Sequence, residues 1–275
     1  MGQTLSDFRS FLIREELALA TIEKYVRDVK RFLEWNQESI ITKERVIGWK
    51  NTLIDSKYSV TSINSMLASL HCYFRYIQID GCNVKYLRIQ RKVFRDENRD
   101  LNKQDYQKLI DTARKKRNER LALVIETIGA TGIRVSELKY ITMEAVKENQ
   151  AVISLKGKVR TILIPQKLSK KLLFYAKREK LINGEIFITR NGTSFSRKQI
   201  WAEMKKICKE AGVESKKVFP HNVRHLFARM FYKASKDIAR LADVLGHSNI
   251  ETTRIYLVTV GDECRRWLEN IQMLC

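Results

Sequence analysis

Proline occurs only twice in this chain, at Pro165 and Pro220, and glycine eleven times in 275 residues. Sandwiches and barrels turn every 8–12 residues or so and draw steadily on both. A chain this poor in them runs mainly in helices. The apolar spacing of the first segment agrees. Leu5, Phe8, Phe11 and Leu12 recur at helical intervals, as do Ile22, Tyr25, Val26, Val29, Phe32 and Leu33. Val46, Trp49 and Leu53 mark a third helix, and Ile63, Met66, Leu67, Leu70, Phe74 and Ile77 a fourth.

The second segment mixes periods. Asn102 opens a helix through Ala113, and Leu121–Thr131 is apolar enough for a buried one that Gly129 and Gly132 break. Val152–Leu155 and Thr161–Ile164 are short β-rich runs around Lys156-Gly-Lys-Val-Arg160, which reads as a hairpin with a basic turn. Ile186–Ile188 offers a third strand, and helical spacing resumes from Lys198. The expected fold is mainly α with a small β-hairpin or sheet. A helical N-terminal domain spans residues 1–80, an exposed, charged linker 81–100, and a mixed α/β domain 101–275.

Charge narrows the partner. The chain carries 52 Lys+Arg against 31 Asp+Glu, a net +21. Residues 1–100 hold 17 and 13 of these, leaving 35 and 18 for the rest, so the second segment carries +17. Such an excess suits a polyanion, because basic side chains release the counterions condensed on a phosphate backbone. Apolar residues make up 44%, enough for packed cores, but no window holds about 18 uninterrupted ones, so no transmembrane helix is expected. The N-terminus lacks the apolar core of a signal peptide. Five cysteines, an odd number with no C-x-x-C, argue against a disulfide framework or a zinc site and for free thiols in the cytoplasm.

Three clusters could carry chemistry. Pro220-His-Asn-Val-Arg-His225 places proline in the first turn of a helix, so His221, Arg224 and His225 share one face. A fixed cation, two titratable donors and free backbone N–H groups suit a phosphate diester better than a metal ion. A face bonded to its own core is the alternative. In Leu245-Gly-His-Ser-Asn-Ile-Glu251, Gly246 can end one helix and Ser248 with Glu251 can cap the next, so His247 sits in a turn. Tyr256 lies two turns further on. In Gly129-Ala-Thr-Gly-Ile-Arg-Val-Ser-Glu137, Arg134 follows a glycine break and Glu137 comes one turn later. A lone arginine there, or a lone tyrosine at 256, is more often structural.

As an ordered set these pieces resemble the tyrosine recombinase, or phage integrase, family. The matching residues are Thr131-Gly-Ile-Arg-Val-Ser-Glu137, Lys156-Gly-Lys-Val-Arg160, His221-x-x-Arg224-His225, Leu245-Gly-His247 and Tyr256. The likeness is strong over residues 100–260 and looser over the first segment, as a core-binding domain. The layout looks closest to compact Xer-like and transposon-borne members. The resemblance implies that Arg134 and Arg224 clamp the scissile phosphate, that His221 and His247 are the box histidines, and that Tyr256 is the nucleophile. Lys156 would be the hairpin lysine, with Lys158 its competitor, while Glu137 and His225 would support the site. It further implies a site-specific recombinase or integrase, acting on double-stranded DNA through a 3′-phosphotyrosyl intermediate and assembled as a homotetramer on DNA.

The residue types fit that chemistry. A phenol, with pKa near 10 in water, needs a base or a strong field to attack a phosphodiester. Two guanidiniums hold planar phosphate oxygens by forked hydrogen bonds and stabilise transition-state charge. A lysine can protonate the leaving 5′-oxygen. The scheme calls for no cofactor, no metal and no membrane. A type IB topoisomerase-like enzyme would use the same site, and a non-catalytic DNA-binding relative would lack part of it. The amphipathic tail Val260–Leu274, with Trp267, Leu268, Ile271 and Leu274 on one side, favours recombination, since such tails dock on a neighbouring protomer in this family.

Overall fold

The computed structural model describes residues 2–37, 39–88, 100–155, 158–247 and 249–257. The chain divides into two compact units, residues 1–91 and 92–275.

The first unit contains α1 (Gly2–Arg14), α2 (Leu19–Asn36), α3 (Lys43–Asp55) and α4 (Val60–Tyr76), the four expected helices. Their apolar stripes close on one core that includes Phe8, Val29, Phe32, Trp49, Leu67 and Phe74. Thr42 and Ser59 cap α3 and α4, each accepting a backbone N–H three residues on. A buried Asp28 on α2 accepts from Lys24 Nζ at 2.6 Å and from Ser69 Oγ of α4 at 3.1 Å, which fixes the rotation of the two helices. The expected linker begins as a strap on this unit. Cys82 and Val84 are buried, and the Asn64 amide both donates to and accepts from the Leu87 backbone at 2.8 Å. Residues 89–99 of that stretch lie outside the described residues.

The second unit runs α5 (Lys103–Lys115), α6 (Glu119–Thr131), a 3₁₀ turn (Val135–Tyr140) and α7 (Met143–Lys147). Then come β1 (Gln150–Leu155), β2 (Lys158–Leu163), α8 (Gln166–Arg178) and α9 (Arg197–Ala211). The unit finishes with α10 (Pro220–Ser235), α11 (Ile238–Leu245), α12 (Ile250–Arg254) and a 3₁₀ turn (Ile255–Leu257). Helix α6 is the spine of the core, burying Leu121, Leu123, Val124, Ile125 and Ile128. At roughly 1.5–3 kcal/mol for each large aliphatic side chain, this helix alone anchors the unit.

Three local expectations change. Gly129 does not break α6; it stays inside the helix because the Tyr106 ring occupies the space a Cβ would need, with Tyr106 Oη 2.6 Å from that point. Ile186–Ile188 adds no third strand: the sheet is the antiparallel pair β1–β2, and the segment contributes only an isolated bridge between Ile188 and Ser194. Asn249, not Ser248, caps α12, its Oδ1 accepting from the Glu251 N–H at 2.8 Å. Ser248 lies outside the described residues. Helix α8, not anticipated, packs its Leu168, Leu172 and Tyr175 face into the core.

Candidate active site

Helix ends set the site. Helix α6 stops at Gly132, whose φ of 65° is left-handed and whose missing Cβ makes room for the Phe227 ring. Two residues later the chain enters the 3₁₀ turn, with Arg134 before it and Glu137 inside it. Helix α10 starts with Pro220 in its first turn, as the sequence indicates, and sets His221 edge-on to His225, their ring centroids 4.5 Å apart. Helix α11 ends at Gly246 (φ 64°), and His247 follows directly. Tyr256 sits in the 3₁₀ turn after α12.

The C-terminus of α11 gathers three arginines from three different elements. Arg160 of β2 donates to Val244 O at 3.3 Å, Arg224 of α10 to Leu245 O at 2.8 Å, and Arg134 to Gly246 O at 3.4 Å. These carbonyls have no partner inside the helix and carry the negative end of its dipole, so they hold guanidiniums that would otherwise repel one another. Glu137 supplies the remaining countercharge. Its Oε1 accepts from Arg134 Nη1 at 2.9 Å, and its Oε2 accepts from the Arg134 backbone N–H at 2.9 Å and from Arg160 Nη2. Arg224 also donates to Gly132 O, which ties the end of α6 to the end of α11.

Exposure separates the arginines. The Arg134 side chain is 40% exposed, that of Arg160 only 14%. Arg134, Arg224 and His221 line a cleft of about 640 Å³ together with Ile133, Arg197 and Trp201. Burial lowers the pKa of Arg224, the Tyr256 phenol working the other way, and burial also lowers that of Arg160 against the pull of Glu137.

Two of the histidines are pushed toward the neutral form. His247 is pushed down to about 4, first by burial and then by Arg224, Arg134, Arg160 and His221. His221 is lowered by burial and then by Arg224, Arg197 and Arg134. The partners of His247 fix its tautomer. Arg224 Nη2 can only donate, so His247 Nε2 accepts at 3.1 Å, and Nδ1–H donates to Thr253 Oγ1 at 2.8 Å. Tyr256 is 5% exposed and packs with Ala228, Leu241 and Leu245. Its ring meets that of His225 edge-on at 4.4 Å and lies parallel to that of His247 at 5.7 Å.

Arg134, Glu137, His221, Arg224, His225, His247 and Tyr256 thus converge, although more than a hundred residues separate the first from the last. Lys156 lies outside the described residues. Lys158 is the first residue of β2, its backbone paired with Leu155. Sequence reasoning passed over Arg160 and Thr253. Arg160 was detectable in principle: it alternates with Ile162 and Ile164 on the buried side of β2, where an arginine needs a buried partner. Among the described residues no cluster of three or more His, Cys, Asp or Glu could hold a metal ion, and no helix is long and apolar enough to cross a membrane.

Comparison with known proteins matches residues 99–260 to the phage integrase family and residues 5–78 to the phage integrase N-terminal SAM-like domain. The chain belongs to the phage integrase family. Among similar proteins, the tyrosine recombinase XerA of Pyrococcus furiosus is 28% identical over 281 residues, covering 99% of this chain and 95% of that one. The tyrosine recombinase XerD of Listeria monocytogenes is 28% identical over 279 residues, covering 93% and 94%. The fold resembles a Tn1549 transposon integrase in complex with transposon right-end DNA (TM-score 0.71, 17% identity, 98% and 99% covered). It also resembles a lambda integrase dimer bound to a core site (TM-score 0.73, 17% identity, 93% and 94% covered). This phage integrase is therefore an enzyme of the tyrosine recombinase class, which cleaves and rejoins DNA. Recombination is favoured over topoisomerase-like relaxation.

Proposed function

We propose that the protein is a site-specific DNA recombinase whose nucleophile is Tyr256. The Tyr256 phenolic oxygen bonds to the scissile phosphorus as the bond from phosphorus to the 5′-oxygen breaks, leaving a 3′-phosphotyrosyl link and a 5′-hydroxyl. The hairpin lysine, Lys156 with Lys158 as the alternative, gives its proton to the leaving oxygen. Arg134 and Arg224 hold the two non-bridging oxygens, where their charge stabilises the pentavalent transition state. His221 accepts the phenolic proton as the tyrosine attacks. His247, a weak base at a pKa near 4, instead aligns Arg224 through its accepting nitrogen. Glu137 keeps the Arg134 guanidinium oriented, and His225 supports the tyrosine ring.

The observation that carries this reading is the packing of the Tyr256 ring against His225 and His247 while Arg224 bonds the latter. A structural tyrosine would not need three histidines and a buried arginine around it. The phosphotyrosyl bond conserves the energy of the phosphodiester, so a second 5′-hydroxyl can reverse the step. Exchange between two duplexes cuts four strands, so four protomers assemble on the DNA, and the tail Val260–Leu274, which lies outside the described residues, joins neighbours. The helical unit adds its own contacts to the duplex. The cytoplasm is the compartment in which such DNA is met.

Tyr256→Phe tests the assignment. The variant keeps the ring packing, should bind a half-site duplex within about threefold of the parent, and should form no adduct stable on a denaturing gel. A normal adduct would remove Tyr256 from the role.

A further inference from the structure

We infer that Arg160 is a positioning residue for the hairpin lysine: it moors β2 to the arginine site, so that the proton donor arrives where the phosphate is held. This rests on the proposed role of the hairpin lysine as general acid.

Three observations lead there. Among the described residues of the hairpin, Arg160 bonds the Glu137 carboxylate, and the same guanidinium reaches Val244 O, so one side chain spans β2, the 3₁₀ turn and the end of α11. Gly246 is built around it. A Cβ at Gly246 would come within 2.6 Å of Arg160 Nη1 and closer still to Arg160 Cδ, so the glycine that precedes His247 leaves the space the arginine fills. Thirdly, Arg160 is largely hidden at 14% exposure and does not line the cleft, whereas Arg134, which shares Glu137 with it, is 40% exposed and does. A third phosphate ligand would have to reach the cleft. Arg160 instead faces inward and holds other parts.

The chain distance is short. Arg160 follows Lys158 by two residues and Lys156 by four. At about 3.3 Å per strand residue, the backbone of Lys158, which opens β2, lies within roughly 7 Å of the moored residue. The rest of β2 is held to β1 by a regular register, Gln150↔Leu163 through Leu155↔Lys158. That pairing steadies the hairpin internally but leaves its placement on the site to inward-facing side chains, and Arg160 is a charged one bonded to the catalytic end of the unit. Proton transfer in a transition state demands hydrogen-bond reach, so a slack hairpin would cost rate without weakening DNA binding.

The leaving group separates this role from a structural one. Oxygen at the 5′-bridging position needs a proton; sulfur there does not. Arg160→Met removes both bonds and keeps the stem length. On a full-length protein with a nicked suicide duplex, its single-turnover cleavage of the ordinary phosphodiester should fall by about 100-fold or more, within the usual contribution of a general acid. Cleavage of the 5′-bridging phosphorothiolate should stay within about threefold of the parent protein, with DNA affinity unchanged. Arg160→Lys keeps the charge but cannot bond Glu137 and Val244 together. It should show the same thiolate preference more weakly and serves if the methionine variant does not fold. Equal losses on both substrates in a folded, DNA-binding variant, or no loss on either, would overturn the inference. Lys156→Ala and Lys158→Ala are the controls. Thiolate rescue of one of them without rescue of Arg160→Met overturns the role of Arg160 alone. Rescue of neither overturns the hairpin acid itself, and the positioning role with it.

Discussion

The rings of His247 and Tyr256 lie nearly parallel, 9° apart, with their centroids separated by 5.7 Å. One belongs to the turn after α11 and the other to the turn after α12, so the stack joins two helix ends that also meet where Tyr256 packs on Leu241 and Leu245. His247 is in turn fixed by Arg224 and Thr253. The position of the tyrosine is thereby read by the same imidazole that aligns the buried arginine.

That imidazole should titrate far below an ordinary histidine. Its pKa near 4, against about 6.5 in an unfolded chain, follows from burial first and from Arg224, Arg134, Arg160 and His221 after it. Between those values the unfolded state binds a proton that the folded state does not. Stability from this group is therefore full above pH 6.5 and declines as pH falls toward 4. His221 acts in the same direction. Urea unfolding across this window should show the decline, and His247→Gln should flatten it. A proton NMR titration placing His247 near 6.5 would contradict the electrostatic description.

Glu137 is expected to be the least replaceable side chain that does not touch substrate. It is 2% exposed and shared by two guanidiniums. Glu137→Ala leaves both without their carboxylate, and breaking a buried pair from one side costs on the order of 3 kcal/mol. The urea midpoint should fall accordingly, and cleavage should fall further than the stability loss accounts for. A midpoint unchanged in Glu137→Ala would mean that the carbonyls of α11 suffice to hold the arginines.

Gly246→Ala should be worse than an ordinary exchange at a helix end. The left-handed φ alone strains a side chain by about 1–2 kcal/mol. The added Cβ also meets the Arg160 side chain. Chemical denaturation should show a loss of at least that size, together with slower cleavage. By contrast, Gly212→Ala shares the left-handed φ (61°) but has open space around the new Cβ, so it should show the strain without the catalytic defect.

Salt should report which segment meets the phosphates. Residues 101–275 carry +17 and residues 1–100 only +4. Each neutralised phosphate contributes a slope of about −0.9 in log K against log salt. A fragment of residues 101–275 should keep most of the slope of the whole chain in a fluorescence-anisotropy titration, and residues 1–100 alone should bind weakly. A nearly flat response from the larger fragment would contradict the assignment.

Much of this was legible in the sequence because its punctuation is sparse. Pro220 marks the start of α10, Gly132 and Gly246 mark helix ends, and their left-handed angles are what glycine is for. The four helices of the first unit follow from apolar spacing alone. Where reading failed, tertiary packing decided. Gly129 looks like a break but is a seat for Tyr106. Ile186–Ile188 has strand composition but no neighbouring edge to pair with beyond single bridges. Helix α8 carries five Lys and Arg in 13 residues, which hid its Leu168–Leu172–Tyr175 stripe. Arg160 looked like one more basic residue of a hairpin turn, because its value lies in Glu137 and Val244, 23 residues before it and 84 after.

The chemistry of the covalent link is the most direct test. The full-length protein is incubated with a nicked duplex carrying its recombination site, the adduct is purified under denaturing conditions, and the linked peptide is sequenced by mass spectrometry. The nucleotide should be found on Tyr256, joined through a 3′-phosphate, with a free 5′-hydroxyl on the released strand that polynucleotide kinase can label. Attachment at another residue, or a 5′-phosphate linkage, would contradict it.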